Sequence, residues 1–261
     1  MNPFKEMSME DIKNSAPSIF QTKQKANLSE HYVHIPTNKV IDDMIALGWK
    51  PCQAVEIKAR KKSTKGYQRH MIKFFNPDIT IEGANGDDVF PQILLTNSHD
   101  GLSSFKFQIG LFRLVCSNGM VVCDTSYGDF KLRHMGYSFS ELQTKINEAV
   151  EAFPGLVEKI NEFQNIELSD VQITDFAGKA AMIRFGENVA VDLNELLAVE
   201  RNEDAGNSLW TVFNRVQEKL ITGGCSYKMG ARTRKARAIK NFSQDLKINE
   251  ALWSLAEEFV H

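Results

Sequence analysis

The periodicity of this chain changes once, near Gly136, and that change limits the folds open to it. Before it, short apolar runs rich in β-branched and aromatic residues recur between polar breaks, at 53–59, 71–75, 79–81, 92–96, 104–107, 111–116, 121–125 and 130–134. Runs of this length and make-up read as strands. Asn118-Gly119 between two of them is the strongest short-range hairpin signal in the chain. After Gly136, apolar residues fall at helical spacing, as in Phe139, Leu142, Ile146 and Val150. Helices are expected over 138–153, 156–163, 170–185, 193–199, 208–221, 230–240 and 247–260, with Pro154-Gly155 as a break or kink between the first two. An earlier helix ends at Gly48 and carries Val40, Ile41, Met44 and Ile45 behind an N-cap at Thr37 or Asn38.

Strands followed by helices, rather than alternating with them, give an α+β fold. The expectation is an antiparallel β-rich half over 49–135, with a protruding basic hairpin, and a helical half over 137–261 packed on it. Together they would make one domain over 31–261, preceded by a flexible arm over 1–30, which is polar and without a sustained period. A chain of 261 residues with 43% apolar content and 17 Phe can bury a core without disulfides or metals.

The four cysteines, Cys52, Cys116, Cys123 and Cys225, form no C-x-x-C pair, so they read as reduced core thiols rather than zinc or redox ligands. No apolar run reaches the eighteen residues of a membrane span. The first twenty residues include Lys5, Glu6, Glu10, Asp11 and Lys13 and lack the apolar stretch of a secretory signal. A cytoplasmic protein that needs no cofactor or metal is therefore expected.

Charge is segregated although the net charge is only -2. Between residues 57 and 77 stand Lys58, Arg60, Lys61, Lys62, Lys65, Arg69 and Lys73, with no Asp or Glu. Between 219 and 244 stand Lys219, Lys228, Arg232, Arg234, Lys235, Arg237 and Lys240, again with no acid. The two segments hold 14 of the 31 basic residues, which makes them anion-seeking surfaces in a neutral protein. Tyr67, His70, Phe74, Phe75 and Tyr227 lie among the cations, and aromatic rings beside cations suit unpaired nucleic-acid bases.

A polar cluster, Asn97-Ser98-His99-Asp100-Gly101, stands ahead of Arg113 and of Cys116-Ser117-Asn118-Gly119. Asn, Ser and Asp initiate tight turns and Gly supplies a positive φ, so a structural turn is the first reading and His99 a buried strut within it. A phosphate grip by Ser98, Ser103, Ser104 and Arg113 is the second. A catalytic use of His99 and Asp100 with His134 is the third; neighbouring Ser, His and Asp are not a triad, which is a spatial constellation. As metal ligands, His99 and Asp100 would need distant partners such as His70, His134 or Glu82, and no second cluster at ligand spacing supplies them.

These elements, with Gln68-Arg69-His70, Arg133-His134 and Asn214-Arg215-x-Gln217-Glu218 ahead of Gly223-Gly224, resemble the signature of the domain of unknown function 932 family of phage- and plasmid-associated proteins. The resemblance spans about residues 30 to 260 and implies a mobile-element protein of the bacterial cytoplasm. It brings no catalytic residues with it.

The expected function is accordingly a nucleic-acid-binding protein, for single-stranded DNA first, acting without catalysis in replication, recombination or host takeover, with its two basic segments flanking one groove. A hydrolase of nucleic acid or nucleotides using residues 97–101 is the first alternative. A module that inhibits a host protein is the second. The oligomeric state is left open.

Overall fold

A computed structural model describes residues 4–26, 28, 32–59, 61–79, 89–113, 119–122, 130–131 and 138–260. The chain divides into two compact units, one of residues 1–82, 88–114 and 125–153, the other of 83–87, 115–124 and 154–261. The fold is α+β, with the antiparallel sheet in the N-terminal half and most helices in the C-terminal half.

In the first unit, α1 (Met9–Ser15) and α2 (Thr37–Ala46) accompany the strands β1 (Lys50–Glu56), β2 (His70–Phe75), β3 (Val89–Asn97) and β4 (Lys106–Arg113). β5 (Gly119–Val122) belongs to the second unit, and β6 (Phe130–Lys131) pairs with β4. All these pairings are antiparallel, in the order β1-β2-β3-β4. Directly opposed residues share a face, and the register sets Ala54, Ile72, Leu95 and Phe107 on one side. Ile146 and Ala149 of α3 (Phe139–Asn165) meet Ile93, Phe107 and Ile109 on that face, because the helical period brings them to one stripe. Parts of the runs expected at 104–107 and 111–116 join in one strand, β4, with Gly110 inside it opposite Gln92, while 114–116 lie outside the described residues.

Residues 4–20 are packed where a flexible arm is expected from their composition. Ser8 and Asp11 form a reciprocal capping box that starts α1, and Ile12, Ala16 and Ile19 are completely buried. Phe4 packs on Phe75, Phe90 and Phe112, with ring centroids 5.1, 6.0 and 4.7 Å away. Burial of such a ring is worth about 2 kcal/mol. The polar composition disguised this segment, because its few apolar residues are spaced to meet the sheet rather than one another.

α3 runs through Pro154, the residue at which the second unit begins. That unit adds α4 (Asp170–Phe185), β7 (Ala190–Val191), α5 (Leu193–Leu196), α6 (Leu209–Thr222), β8 (Ser226–Met229), β9 (Arg232–Lys235) and α7 (Phe242–Glu258). Its core is aromatic: Trp253 meets Phe163 at 5.1 Å and Phe213 edge-on at 6.1 Å, and Phe176 meets Phe259 at 5.4 Å. Leu209, Val212, Phe213, Val216 and Leu220 are buried along α6, the apolar face that their spacing specifies.

The helix expected over 230–240 is the largest secondary-structure correction. These residues form the return strand and exit of a hairpin, β8 to β9, in a three-stranded sheet ordered β7-β8-β9. Gly230 sits at φ +63 as the first of two turn residues, the position where a two-residue hairpin wants glycine. Cations at 232, 234 and 235 would crowd one another on a helix. On a strand, Arg232 and Arg234 share one face while Lys235 takes the other.

Candidate nucleic-acid interface

Asn97 and His70 end neighbouring strands and stand directly opposite each other, so their side chains project to the same side. Both are buried, and burial requires every polar atom to find a partner. His70 Nδ1 lies 3.1 Å from the Gln68 carbonyl oxygen, which only accepts, so Nδ1 carries the proton. Nε2 is then the acceptor, and the Thr37 hydroxyl donates to it over 2.9 Å. Asn97 Nδ2 donates in turn to Thr37 Oγ1 at 3.0 Å and to the Ile35 carbonyl at 3.1 Å. Thr37 therefore serves this network, and the residue at the N-cap of α2 is Pro36, not Thr37 or Asn38. Burial pushes the His70 imidazole down to about 4, in keeping with its neutral, accepting role.

The cluster over 97–101 is a turn. Ser98 Oγ donates to Asp100 Oδ1 at 2.8 Å, which also accepts from the Leu102 amide at 3.0 Å. Ser103 N donates to Ser98 Oγ at 3.2 Å, and Gly101 adopts φ +75. An added Cβ at Gly101 would lie 2.9 Å from Leu28. Tyr32 donates its hydroxyl to the Ser98 carbonyl at 3.0 Å, and burial with Asp100 nearby pushes that phenol up to about 12.

His99 is completely buried. Its amide donates to the Tyr67 carbonyl at 3.0 Å, and its carbonyl accepts from Lys25 N at 2.9 Å. Its ring lies between those of His34 and His70, with centroids 4.6 and 5.1 Å away. Among the described residues, no group of three or more His, Cys, Asp and Glu side chains is placed to hold a metal. Cys52 and Cys225 are thiols, and burial pushes Cys52 up to about 12, far from the thiolate that reactivity requires. His134, Cys116, Cys123, Glu82, Asn118 and Arg133 lie outside the described residues, as do Arg60 and the Arg113 side chain.

The two basic segments fall in different units. The first is the connection between β1 and β2. Lys58, Lys61, Lys62 and Lys65 are exposed on it, while Arg69 and Lys73 are half-buried. Its root holds a carboxylate: Glu56 accepts from Gln68 Nε2 at 2.8 Å and from Ser18 N at 2.9 Å. A short 3-10 turn at Lys62–Thr64 shapes the tip.

The second segment is the β8–β9 hairpin with its exit. Lys228, Arg232, Arg234, Lys235, Arg237 and Lys240 are all exposed, and so is every residue of the edge strand β9. Lys219, by contrast, is paired with Glu200. The hairpin is seated on α6 by backbone: Gly224 N donates to the Ala236 carbonyl and Ala236 N to the Cys225 carbonyl, both at 2.9 Å. Gly223, at φ +87, is where the chain comes closest. A Cβ there would meet Ala236 O at 2.5 Å and the Arg237 carbonyl carbon at 2.8 Å. Arg184 completes the seat by donating to the Leu220 carbonyl in the last turn of α6 and to the Arg237 carbonyl in the hairpin's exit, and burial lowers its pKa.

The polar motif on α6 is taken up by bonds within the second unit. Gln217 Nε2 donates to Asn249 Oδ1 of α7 at 2.9 Å, and Asn214 Nδ2 to the Trp210 carbonyl at 2.7 Å. Arg215 and Glu218, which spacing alone allows to pair, have other partners: Arg215 donates to the Gly206 carbonyl at 3.0 Å, and Glu218 takes both guanidinium nitrogens of Arg201. Arg201 and Arg184 are structural supports that charge counting does not reveal, since their partners lie 17 and 36 to 53 residues away.

The family model described as Domain of unknown function (DUF932) matches residues 26–253 of the chain. Two Escherichia coli (strain K12) proteins, the UPF0380 proteins YfjQ and YafZ, are each 33% identical to it over 257 residues, 97% of this chain and 92% of theirs. No solved structure matches.

Proposed function

The chain belongs to the DUF932 family, and on that footing we propose that it binds nucleic acid, single-stranded DNA before duplex, without catalysing a reaction on it. The β8–β9 hairpin carries this reading: six exposed cations lie between residues 228 and 240 of a segment that contains no acid. Exposed cations on a regular strand are arrayed at the spacing of an extended chain, so several meet phosphates of one backbone at once. Each phosphate so neutralised releases counterions, which makes affinity fall steeply with salt. The exposed lysines of the β1–β2 connection add a second anion-seeking surface. His99 is completely buried, which speaks against a hydrolytic role for the cluster at 97–101. The family resemblance extends the reading to replication, recombination or host takeover by a mobile element in the bacterial cytoplasm.

The test is fluorescence anisotropy with labelled oligonucleotides across a salt series, followed by inspection of the oligonucleotides for cleavage. Arg232→Glu/Arg234→Glu is expected to reduce affinity at least tenfold while leaving the circular dichroism spectrum unchanged. Salt-independent binding, or none at low salt, would sink the proposal and turn attention to an acidic host protein.

A further inference from the structure

The two faces of the hairpin differ in chemistry. Tyr227 stands opposite Arg234 and Val191, and Met229 opposite Arg232, so these residues share one face. Lys228 opposite Thr233 and Ala190, and Ser226 opposite Lys235, make the other. One face thus holds both arginines, the tyrosine and an exposed methionine, Met229 at 59% exposure. The other holds the lysines with small polar residues.

Resting on the nucleic-acid reading above, we infer that the Tyr227, Met229, Arg232 and Arg234 face takes the unpaired bases of a single strand, and that the Lys228 and Lys235 face holds its phosphates. Arginine guanidinium planes stack on flat rings and lysine does not, so the segregation of Arg from Lys sorts bases from backbone. Tyr227 is half-buried, its ring 5.0 Å from Phe185 and tilted 32° to it, and Arg184 covers Phe185 at 5.0 Å. That support fixes the Tyr227 ring while part of it stays at the surface. A fixed aromatic directly opposite Arg234 and diagonal to Arg232 is a stacking platform, and stacking tolerates any base sequence because every base has a π-face. Met229 extends the platform toward the hairpin tip as a polarizable apolar contact. A duplex hides its base faces, so this face discriminates for unpaired strands.

The experiment uses the full chain with three labelled probes: a single-stranded oligonucleotide, its duplex, and an abasic oligonucleotide of equal length. Wild-type protein is expected to bind the single strand about tenfold more tightly than the abasic one. Tyr227→Ala is expected to lose about that factor with an unchanged salt slope, and Tyr227→Phe to keep it. Lys228→Ala/Lys235→Ala is expected to flatten the logarithmic salt slope by about 1.4, two phosphates on a single strand, without changing strand preference. Equal binding of single-stranded and abasic probes, or a preference for the duplex, would overturn this assignment while leaving nucleic-acid binding intact. Failure of the wild type to bind any probe would overturn both.

Discussion

The two basic segments each carry seven cations and no acid, and the fold presents them differently. In the first segment the cations are split: the lysines of the irregular β1–β2 connection are exposed, Arg69 beside β2 and Lys73 within it are half-buried, and Glu56 stands at the root. In the β8–β9 hairpin the lysines and arginines are all exposed, and the root is held by backbone bonds, a glycine, Arg184 and the Glu195 carboxylate, which accepts from Ser226 N. Charge density along a sequence therefore marks where an anion could bind. Regular strand geometry is what leaves the cations of the second segment exposed.

Breaking the hairpin's seat should have the largest effect. Gly223→Ala places a methyl against the backbone of Ala236 and Arg237, neither of which is the end of a flexible side chain, at a φ that disfavours L-residues. A loss of about 3 kcal/mol or more in chemical denaturation is expected, together with loss of oligonucleotide binding. Unchanged stability would mean that the hairpin is not held where the structure puts it.

The buried network of His70, Thr37 and Asn97 in the first unit weakens with acid. The unfolded chain protonates His70 near pH 6.5, whereas the folded protein keeps it neutral down to about 4. The contribution is therefore complete above pH 6.5 and lost as pH falls toward 4, on the order of 3 kcal/mol. Asp100 works the other way, favouring the charged imidazole. Denaturation at pH 7 and pH 4.5 should show this drop, and it should shrink in His70→Asn, which has no proton to take up in that range.

The smallest effect sharpens the contrast. Lys61→Ala/Lys62→Ala/Lys65→Ala removes three exposed charges from the first segment and should change stability by less than about 0.5 kcal/mol. Its loss of oligonucleotide affinity should be smaller than that of Arg232→Glu/Arg234→Glu. Equal losses would show that the loop shares the interface on equal terms.

Much of the candidate site was legible in residues 97–101. Asn, Ser, Asp and Gly act over one to five residues, so the turn, its bond from Ser98 to Asp100 and the positive φ at Gly101 are local consequences. The partners of His70 were not legible, since Ser18 and Thr37 are 52 and 33 residues away and meet it only through the sheet. The hairpin at 226–235 was missed because Arg, Lys and Ala have good helix propensity, and propensity is a weak prior that tertiary context overrides. The signal that could have found it is Gly230-Ala231 between two four-residue runs.

By itself the sequence determined the α+β order, the apolar stripe of α6, the turn at 97–101 and the segregation of charge, because periodicity, turn chemistry and composition act locally along the chain. The tertiary structure decided that the N-terminal residues are core, that Arg215 and Glu218 part company for Gly206 and Arg201, and that one basic segment becomes a ribbon with two unlike faces. Those outcomes depend on which distant backbone and side chains each group meets when water is excluded, and burial energies of several kcal/mol outweigh local preferences of a few tenths.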